Sequence, residues 1–234
     1  MPTRPSPAAV LRDASTMTTA DPACRVCGRT VARGDPVCFC CRSVAAQLAL
    51  PLVPLVAVTE YRVGDRVHRR LRGYKDAPVA EVRDRCRSGL VEELTGWLDV
   101  LGSGLGGRVG DWAAVTTVPS SRRPGSAPAE LLVDGVPLLA SRHLRLLAGG
   151  RGGVDHLQAD RTAFALVPGV DRDGLADLPV LVFDDTTTTG AAAQSAAATL
   201  RLAGARVVGI LVMGRALAPL RPLSARRSDD WTGP

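Results

Sequence analysis

The sequence predicts an α/β protein in which a mostly parallel sheet is flanked by helices, with a small cysteine-rich knuckle near the N-terminus. The main observation is "PVLVFDD" (179–185), a continuous apolar run typical of a strand buried on both faces of a parallel sheet. A helical stretch (191–204) and another apolar run (205–215) follow it, and together the three segments predict a βαβ unit. Two pairs of cysteines within residues 24–41 predict the knuckle.

Composition and charge limit the classes of function. The chain has 234 residues, of which 46% are apolar, and this is enough for one large domain with a small appendage. The formal charge of +6 permits an anionic partner such as phosphate. A dedicated nucleic-acid surface is disfavoured, because the sequence has no long basic block and its few aromatic residues are scattered.

The two ends of the chain and its most apolar segment bear on localisation. Residues 1–21 are rich in Pro, Ser, Thr and Ala and predict a disordered segment, and we expect the tail 222–234 to be flexible. No stretch has the form of a signal peptide. The segment 44–58 is shorter than the roughly 18 residues that a membrane-spanning helix needs, and it contains two prolines. We therefore expect a cytoplasmic protein without a membrane span, in which this segment forms a helix, a break and the first strand.

Helical and strand patterns alternate along the rest of the chain. Apolar residues recur at helical spacing over 64–74 and 79–101. Residues 112–119 predict a short strand that ends at a proline. A helix-like pattern follows over 128–147, with Pro137 as its expected break or boundary. In such an α/β fold, ligands bind beyond the carboxyl ends of the parallel strands.

The paired cysteines have the spacing of a structural zinc site. Two Cys-x-x-Cys pairs, separated by ten residues rich in turn formers, can bring four thiolates to one tetrahedral Zn²⁺. Because four cysteines leave no open coordination position, the metal would be structural. Cys40 leaves the ligand set open, since it can replace Cys38 or Cys41, and the alternative is that all are ordinary cysteines of a loop-rich segment. The predicted ligands are Cys24, Cys27, Cys38 and Cys41.

The strand at 179–185 ends on two adjacent carboxylates, Asp184 and Asp185. The loop that follows, "TTTTG" (186–190), offers backbone N–H groups, hydroxyls and a tight turn at the N-terminus of a helix, where anions bind. We expect this loop to hold a phosphate, and the carboxylates to accept hydrogen bonds from ribose hydroxyls or to bind Mg²⁺ carried by the ligand. The alternative is structural: the acid pair caps the next helix or meets an arginine.

This segment resembles a known signature. Four apolar residues, two acids, two further residues and Thr-Thr-Gly are similar to the phosphoribosyl pyrophosphate signature of type I phosphoribosyltransferases. The resemblance implies that the acids hold the ribose and act in catalysis, and that the loop holds the 5-phosphate. The residues that it implicates in binding phosphoribosyl pyrophosphate are Asp184, Asp185, Thr186, Thr187, Thr188, Thr189, Gly190, Ala191 and Ala192.

The order of motifs over about residues 24–215 resembles that of the ComF-like, competence-associated phosphoribosyltransferases. This resemblance implies a zinc knuckle (22–43) appended to a phosphoribosyltransferase-like domain (44–221). It also implies that Lys75 and Arg161 contact pyrophosphate, whereas the alternative for each is an ordinary solvent-exposed side chain. The loop that would receive pyrophosphate comprises Val118, Pro119, Ser120, Ser121 and Arg122.

The chain departs from the family's pattern at three places. "RRPGSAPAE" (122–130) stands where the family has an Arg-Gly-Phe-Asn-Gln-like run, Ala192 replaces a common Thr, and an Asn expected after Arg161 is missing. These departures favour binding of phosphoribosyl pyrophosphate over its turnover.

Three functions remain as expectations. The first is Mg²⁺-dependent transfer of a phosphoribosyl group to an acceptor that the sequence does not identify, linked to nucleotide salvage or DNA uptake. The second is non-catalytic sensing of phosphoribosyl pyrophosphate or a nucleotide in the same pocket. The third is an interaction module, in which the zinc knuckle and the basic surface engage nucleic acid or a DNA-uptake partner.

Overall fold

The computed structural model of the chain is α/β, as the sequence predicts. It describes residues 22–102, 105, 107–120, 128–152 and 157–217, so the segments expected to be disordered or flexible, 1–21 and 222–234, lie outside the described residues. In chain order its elements are α1 (Phe39–Leu48), β1 (Leu55–Tyr61), α2 (Arg66–Asp76), α3 (Ala80–Leu101), β2 (Ala114–Thr117), α4 (Pro128–Val133), α5 (Pro137–Ala140), β3 (Leu147–Gly149), β4 (Phe164–Leu166), α6 (Arg172–Leu175), β5 (Pro179–Thr187), α7 (Ala191–Leu202) and β6 (Arg206–Ala216).

All strands of the main sheet run parallel, in the order β1, β6, β5, β2. β5, α7 and β6 form the predicted βαβ unit. Val180 and Val182 of β5 pack in the cluster with α7, while Leu181 and Phe183 pack in the cluster with α2, α3 and α4. A strand buried on both faces explains the uninterrupted apolar run in the sequence. β3 and β4 form a separate antiparallel pair that no sequence pattern predicted.

α7 lies close to the sheet because its inward face is built from alanines. Ala193, Ala196 and Ala197 are buried in the cluster shared with β5 and β6. Gln194 is buried as well, and both ends of its amide are used: Oε1 accepts from Val53 N (3.2 Å) and Nε2 donates to Val53 O (2.8 Å). This side chain satisfies the backbone of the segment between α1 and β1.

The helix-like pattern over 128–147 forms two short helices, α4 and α5, with Pro137 as the first residue of the second. The expectation of helix beyond α5 is wrong. Val115 of β2 instead makes two backbone hydrogen bonds of 2.8 Å with residues 142 and 144. These bonds give the outer edge of β2 partners that the main sheet does not supply, and this pairing overrides the helical periodicity.

The knuckle and the main sheet share one hydrophobic cluster. The four cysteines of the knuckle belong to the same cluster as β5, β6 and α7. The predicted boundary between residues 43 and 44 falls inside α1. This helix carries Cys41 in the knuckle and packs Val44 and Leu48 in a cluster with residues of α7, so it links the two parts.

α3 holds α2 in place at the other face of the sheet. Leu90, Leu94 and Leu98 recur every fourth residue and are buried. α2 approaches α3 closely at Gly73, where an added Cβ would lie 2.7 Å from the sulfur of Cys86. None of the described helices combines the length and the apolar character needed to cross a bilayer.

Replacing Gln194 by leucine should destabilise the protein, because it leaves the buried N–H and C=O of Val53 without partners. We expect the free energy of unfolding to fall by about 2–4 kcal/mol, which urea unfolding followed by circular dichroism measures. Gln158 is exposed and serves as the matched control. Gln158→Leu should change stability by less than about 0.5 kcal/mol, and equal stability of the two variants would contradict the role of Gln194.

Candidate functional site

The two aspartates lie at the carboxyl end of β5, inside the main sheet, and both are largely buried. Asp184 is 9% exposed and Asp185 is 7% exposed. On one side, β2 ends where Thr117 pairs with Phe183. The next residue, Val118, donates its backbone N–H to Phe183 O at 2.9 Å. The segment expected to receive pyrophosphate therefore begins beside the acid pair.

Asp185 is held by the last turn of α2. Its Oδ2 accepts a hydrogen bond from the Tyr74 hydroxyl and lies 2.5 Å from Lys75 Nζ. Its Oδ1 accepts from the Thr186 hydroxyl at 3.1 Å. The side chain of Lys75 is only 17% exposed, so the alternative of an ordinary solvent-exposed lysine does not hold. Lys75 neutralises a buried carboxylate, and its predicted contact with pyrophosphate stays a prediction.

Asp184 has no cation at contact distance of its own carboxylate among the described residues. Its Oδ1 accepts the backbone N–H of Asp185 at 2.9 Å. Burial, reinforced by the negative charge of Asp185, raises the pKa of Asp184 to about 7, and Lys75 offsets this only in part. The cap residue of α7 is Gly190, and no described arginine pairs with either aspartate. Neither structural alternative for the acid pair is therefore realised, and the partner that Asp185 does have is a lysine.

Both tyrosines of the chain lie near the acid pair, and no sequence motif pointed to them. Tyr74 donates to Asp185. Tyr61 ends β1, and burial together with the charges of Asp185 and Asp184 raises its pKa, so its hydroxyl stays protonated. Two signals were available: Tyr74 directly precedes Lys75, and Tyr61 ends a strand at the same edge of the sheet.

The loop after the acid pair enters α7 through a glycine in the left-handed region. Gly190 has φ 87°, which favours glycine. Threonine hydroxyls of the loop accept from its N–H (2.9 Å) and from that of Ala191 (3.2 Å). The next two amides, of Ala192 and Ala193, have no acceptor within the described part of the chain. Free donors at the positive end of a helix dipole suit an anion.

A cleft that is partly open to solvent lies between this loop and the knuckle. The loop contributes residues 187–190 to its lining. The lining also includes two arginines, Arg29 of the knuckle and Arg215 of β6, and it contains no carboxylate. Glu60 balances the charge of Arg215, so Arg29 is the residue of this lining whose charge can attract an anion.

The four predicted cysteines come together, and the structure places Cys38 and Cys41, not Cys40, in the cluster. The four sulfur atoms all lie within 4.8 Å of one another, and those of Cys27 and Cys38 are 3.8 Å apart. A tetrahedron with Zn–S bonds of about 2.3 Å has S···S edges of about 3.8 Å. The cluster therefore fits Zn²⁺, while Cys40 is half-buried and lines the cleft.

Hydrogen bonding within the cluster favours deprotonation of one of its thiols. The hydrogen bond from Cys41 lowers the pKa of Cys27 to about 5, and the same bond raises the pKa of Cys41. A thiolate thus forms readily at one position of the cluster, and thiolates are the form that binds metal.

The other residues predicted to contact pyrophosphate lie in different parts of the structure. Val118 lies beside the acid pair and is followed by the described residues 119 and 120, whereas Ser121 and Arg122 lie outside the described residues. Arg161 lies at the end of α1, where its guanidinium donates to the backbone carbonyls of residues 48 and 49. The structure thus brings Lys75 to the acid pair and ties Arg161 to a helix end. The contact of Arg161 with pyrophosphate stays a prediction.

No protein-family model matches the chain, and no curated protein matches it. A functional assignment for this chain therefore rests on its motifs and on the geometry of the acid pair, the loop and the cysteine cluster.

The raised pKa of Asp184 predicts a pH-dependent stability. Between pH about 4 and about 7 the native carboxyl keeps a proton that the unfolded chain has released, so this group lowers stability as the pH rises through that window. Asp184→Asn retains the Oδ1 acceptor and removes the titration. In Mg²⁺-free buffer, the thermal midpoint of the variant relative to wild type should therefore rise between pH 5 and pH 8, by about a few degrees.

The exposed Asp99 provides the control for this comparison. Asp99→Asn should follow wild type at both pH values. A constant difference between Asp184→Asn and wild type across the window would show that Asp184 titrates normally.

The cysteine geometry predicts which substitutions abolish metal binding. Cys41→Ser should lose most of its zinc, because three thiolates bind more weakly than four, whereas Cys40→Ser should retain about one equivalent. Metal analysis of both purified proteins measures this. Retention of zinc in Cys41→Ser together with its loss in Cys40→Ser would reverse the ligand assignment.

Proposed function

We propose that the chain is a ComF-like phosphoribosyltransferase, with the fold of type I phosphoribosyltransferases, that binds phosphoribosyl pyrophosphate and Mg²⁺ and transfers the phosphoribosyl group to an acceptor. One observation carries the proposal. A buried acid pair at the end of β5 is followed, within one short loop, by a helix N-terminus whose amides at residues 192 and 193 have no acceptor among the described residues. A ligand with a sugar diol next to a phosphate matches both features.

The acids bind the ribose in this proposal. Asp184 and Asp185 accept hydrogen bonds from the two ring hydroxyls, and these bonds are strongest when both carboxylates are ionised. Burial raises the pKa of Asp184 to about 7 in the ligand-free protein, so its carboxylate form predominates above that pH. The two hydroxyls replace Lys75 at Asp185, and the flexible stem of this lysine lets its ammonium turn towards the pyrophosphate.

Charge stabilisation provides the catalysis. As pyrophosphate leaves C1 of the ribose, positive charge grows on the ring, and the carboxylates that hold the ribose hydroxyls stabilise it. Bound Mg²⁺ supplies positive charge that offsets the charge of the leaving pyrophosphate. The hydroxyl and backbone N–H of Ser120, two residues beyond Val118, donate to the same leaving group. No covalent nucleophile is needed.

The zinc of the knuckle is structural in this proposal. A site with four cysteine ligands has no open position for a substrate or water. The ligands are at most 9% exposed and belong to the cluster that also holds β5 and β6. Metal binding then stabilises the fold next to the phosphate loop without taking part in transfer.

A second candidate function is a non-catalytic sensor of phosphoribosyl pyrophosphate or a nucleotide. It is favoured by the ion pair between Lys75 and Asp185, because a ligand must replace this lysine before the acid can hold the ribose. The missing Asn after Arg161 and the altered run at 122–130 point the same way. Pyrophosphate release with candidate nucleobase acceptors separates the two functions, since a sensor binds the ligand and releases none.

Removing the charges of the acid pair should abolish binding of phosphoribosyl pyrophosphate. In calorimetry with Mg²⁺ at pH 8, wild type should bind it, and Asp184→Asn/Asp185→Asn should bind at least about 100-fold more weakly, because two charge-assisted contacts are lost. Asp99→Asn is the matched control and should bind as wild type does. Undiminished binding in the double variant would remove the assignment of the acid pair.

A further inference from the structure

Two arginine side chains connect the knuckle with the phosphate loop and the end of β6: one extends from the knuckle, and the other extends from β6 to the knuckle. Arg29, in the knuckle, donates through Nη2 to the backbone oxygens of Thr188 (3.2 Å) and Ala216 (3.0 Å). Arg215, in β6, donates to the backbone oxygen of Cys27 and to Glu60. Thr188 belongs to the loop and Cys27 to the metal cluster, so the two sites are joined through adjacent hydrogen bonds.

The two arginines differ in charge balance. Arg215 is 7% exposed and pairs with Glu60, so its charge is neutralised. Arg29 has no carboxylate within 4.0 Å in the part of the chain that the structure describes, and its Nε and Nη1 have no acceptor there. Arg29 is half-buried and lines the cleft beside loop residues 187–190. It therefore offers a positive charge and unused donors to the loop.

The fold of the knuckle determines the position of Arg29. Its backbone oxygen accepts from Cys24 N at 2.7 Å, and the N–H of Gly28 donates to Cys24 O at 2.7 Å. Gly28 lies in the left-handed region, with φ 72°. Residues 24–29 form the turn that carries Arg29, and two predicted metal ligands, Cys24 and Cys27, lie in it. We expect bound metal to order this turn.

We infer that Arg29 is a phosphate-binding residue of the loop 186–190, delivered by the metal-loaded knuckle. The inference rests on the proposed function, because its ligand is the 5-phosphate of the phosphoribosyl group. Arg29 holds the Thr188 carbonyl with one nitrogen and donates to the phosphate with the others. Loading of the knuckle with Zn²⁺ and binding of the phosphate then strengthen each other, because coupling between two sites is reciprocal.

The first experiment measures the phosphate contact with the zinc-loaded protein. Arg29→Gln should weaken the binding of ribose 5-phosphate about tenfold, while inorganic pyrophosphate with Mg²⁺, which binds away from this loop, should bind as tightly as to wild type. Arg29→Lys retains the charge and should recover part of the loss. The exposed Arg33, in the same knuckle, provides Arg33→Gln as the control, with the same change of charge.

The second experiment measures the reciprocal effect on the metal. Saturating ribose 5-phosphate should slow the removal of Zn²⁺ from wild type by a chromogenic chelator several-fold, and it should have no such effect on Arg29→Gln. This measurement on wild type needs no variant, so a folding defect of Arg29→Gln does not prevent the test.

The outcomes separate this inference from the proposed function. If wild type binds neither ribose 5-phosphate nor phosphoribosyl pyrophosphate, the proposed function fails, and the role of Arg29 fails with it. If wild type binds both but Arg29→Gln binds ribose 5-phosphate equally well, or the ligand does not slow zinc release from wild type, only the role of Arg29 is overturned.

Discussion

The burial of two adjacent carboxylates at the end of a central strand is the constraint on which the rest of this site depends. A carboxylate removed from water costs several kcal/mol unless a cation or hydrogen-bond donors compensate it. α2 compensates Asp185 with Lys75 and Tyr74. Asp184 accepts backbone N–H groups but contacts no cation among the described residues, and burial raises its pKa. α2 in turn lies against α3, which Gly73 allows to approach closely. The packing of the outer helices thus sets the charge at the edge of the sheet.

The opposite face of the sheet sets the geometry of the loop. α7 begins just after Gly190, is kept close to the sheet by its alanines, and its N-terminus is faced by the knuckle. Because the cysteines of the knuckle share a hydrophobic cluster with β5 and β6, a change in the metal site acts on the support of the loop. Acid pair and loop therefore have separate supports, α2 on one face and the knuckle with α7 on the other.

Local sequence patterns correctly predicted the features that depend on residues close together in the chain. The apolar run of β5, the periodicity of α2 and α3, and the break at Pro137 agree with the structure, and so does the pairing of Cys38 with Cys41. The end of the 128–147 pattern was predicted wrongly, because residues 142 and 144 bond to Val115 of β2, a contact that no local periodicity contains. The β3 and β4 pair was missed for the same reason.

The sequence by itself determined the α/β class, the two Cys-x-x-Cys pairs, and the acid pair followed by its threonine loop, since each depends on spacing within a short segment. Only the tertiary structure decided which of Cys38, Cys40 and Cys41 join the cluster. It also decided that Lys75 neutralises Asp185 while Tyr74 donates to it, that Arg161 binds the end of α1, and that Arg29 reaches the loop. These contacts join residues more than 100 positions apart. The energy of each of these contacts depends on how deeply its groups are buried and how far apart they lie. Both quantities are set only when the sheet, its helices and the knuckle assemble.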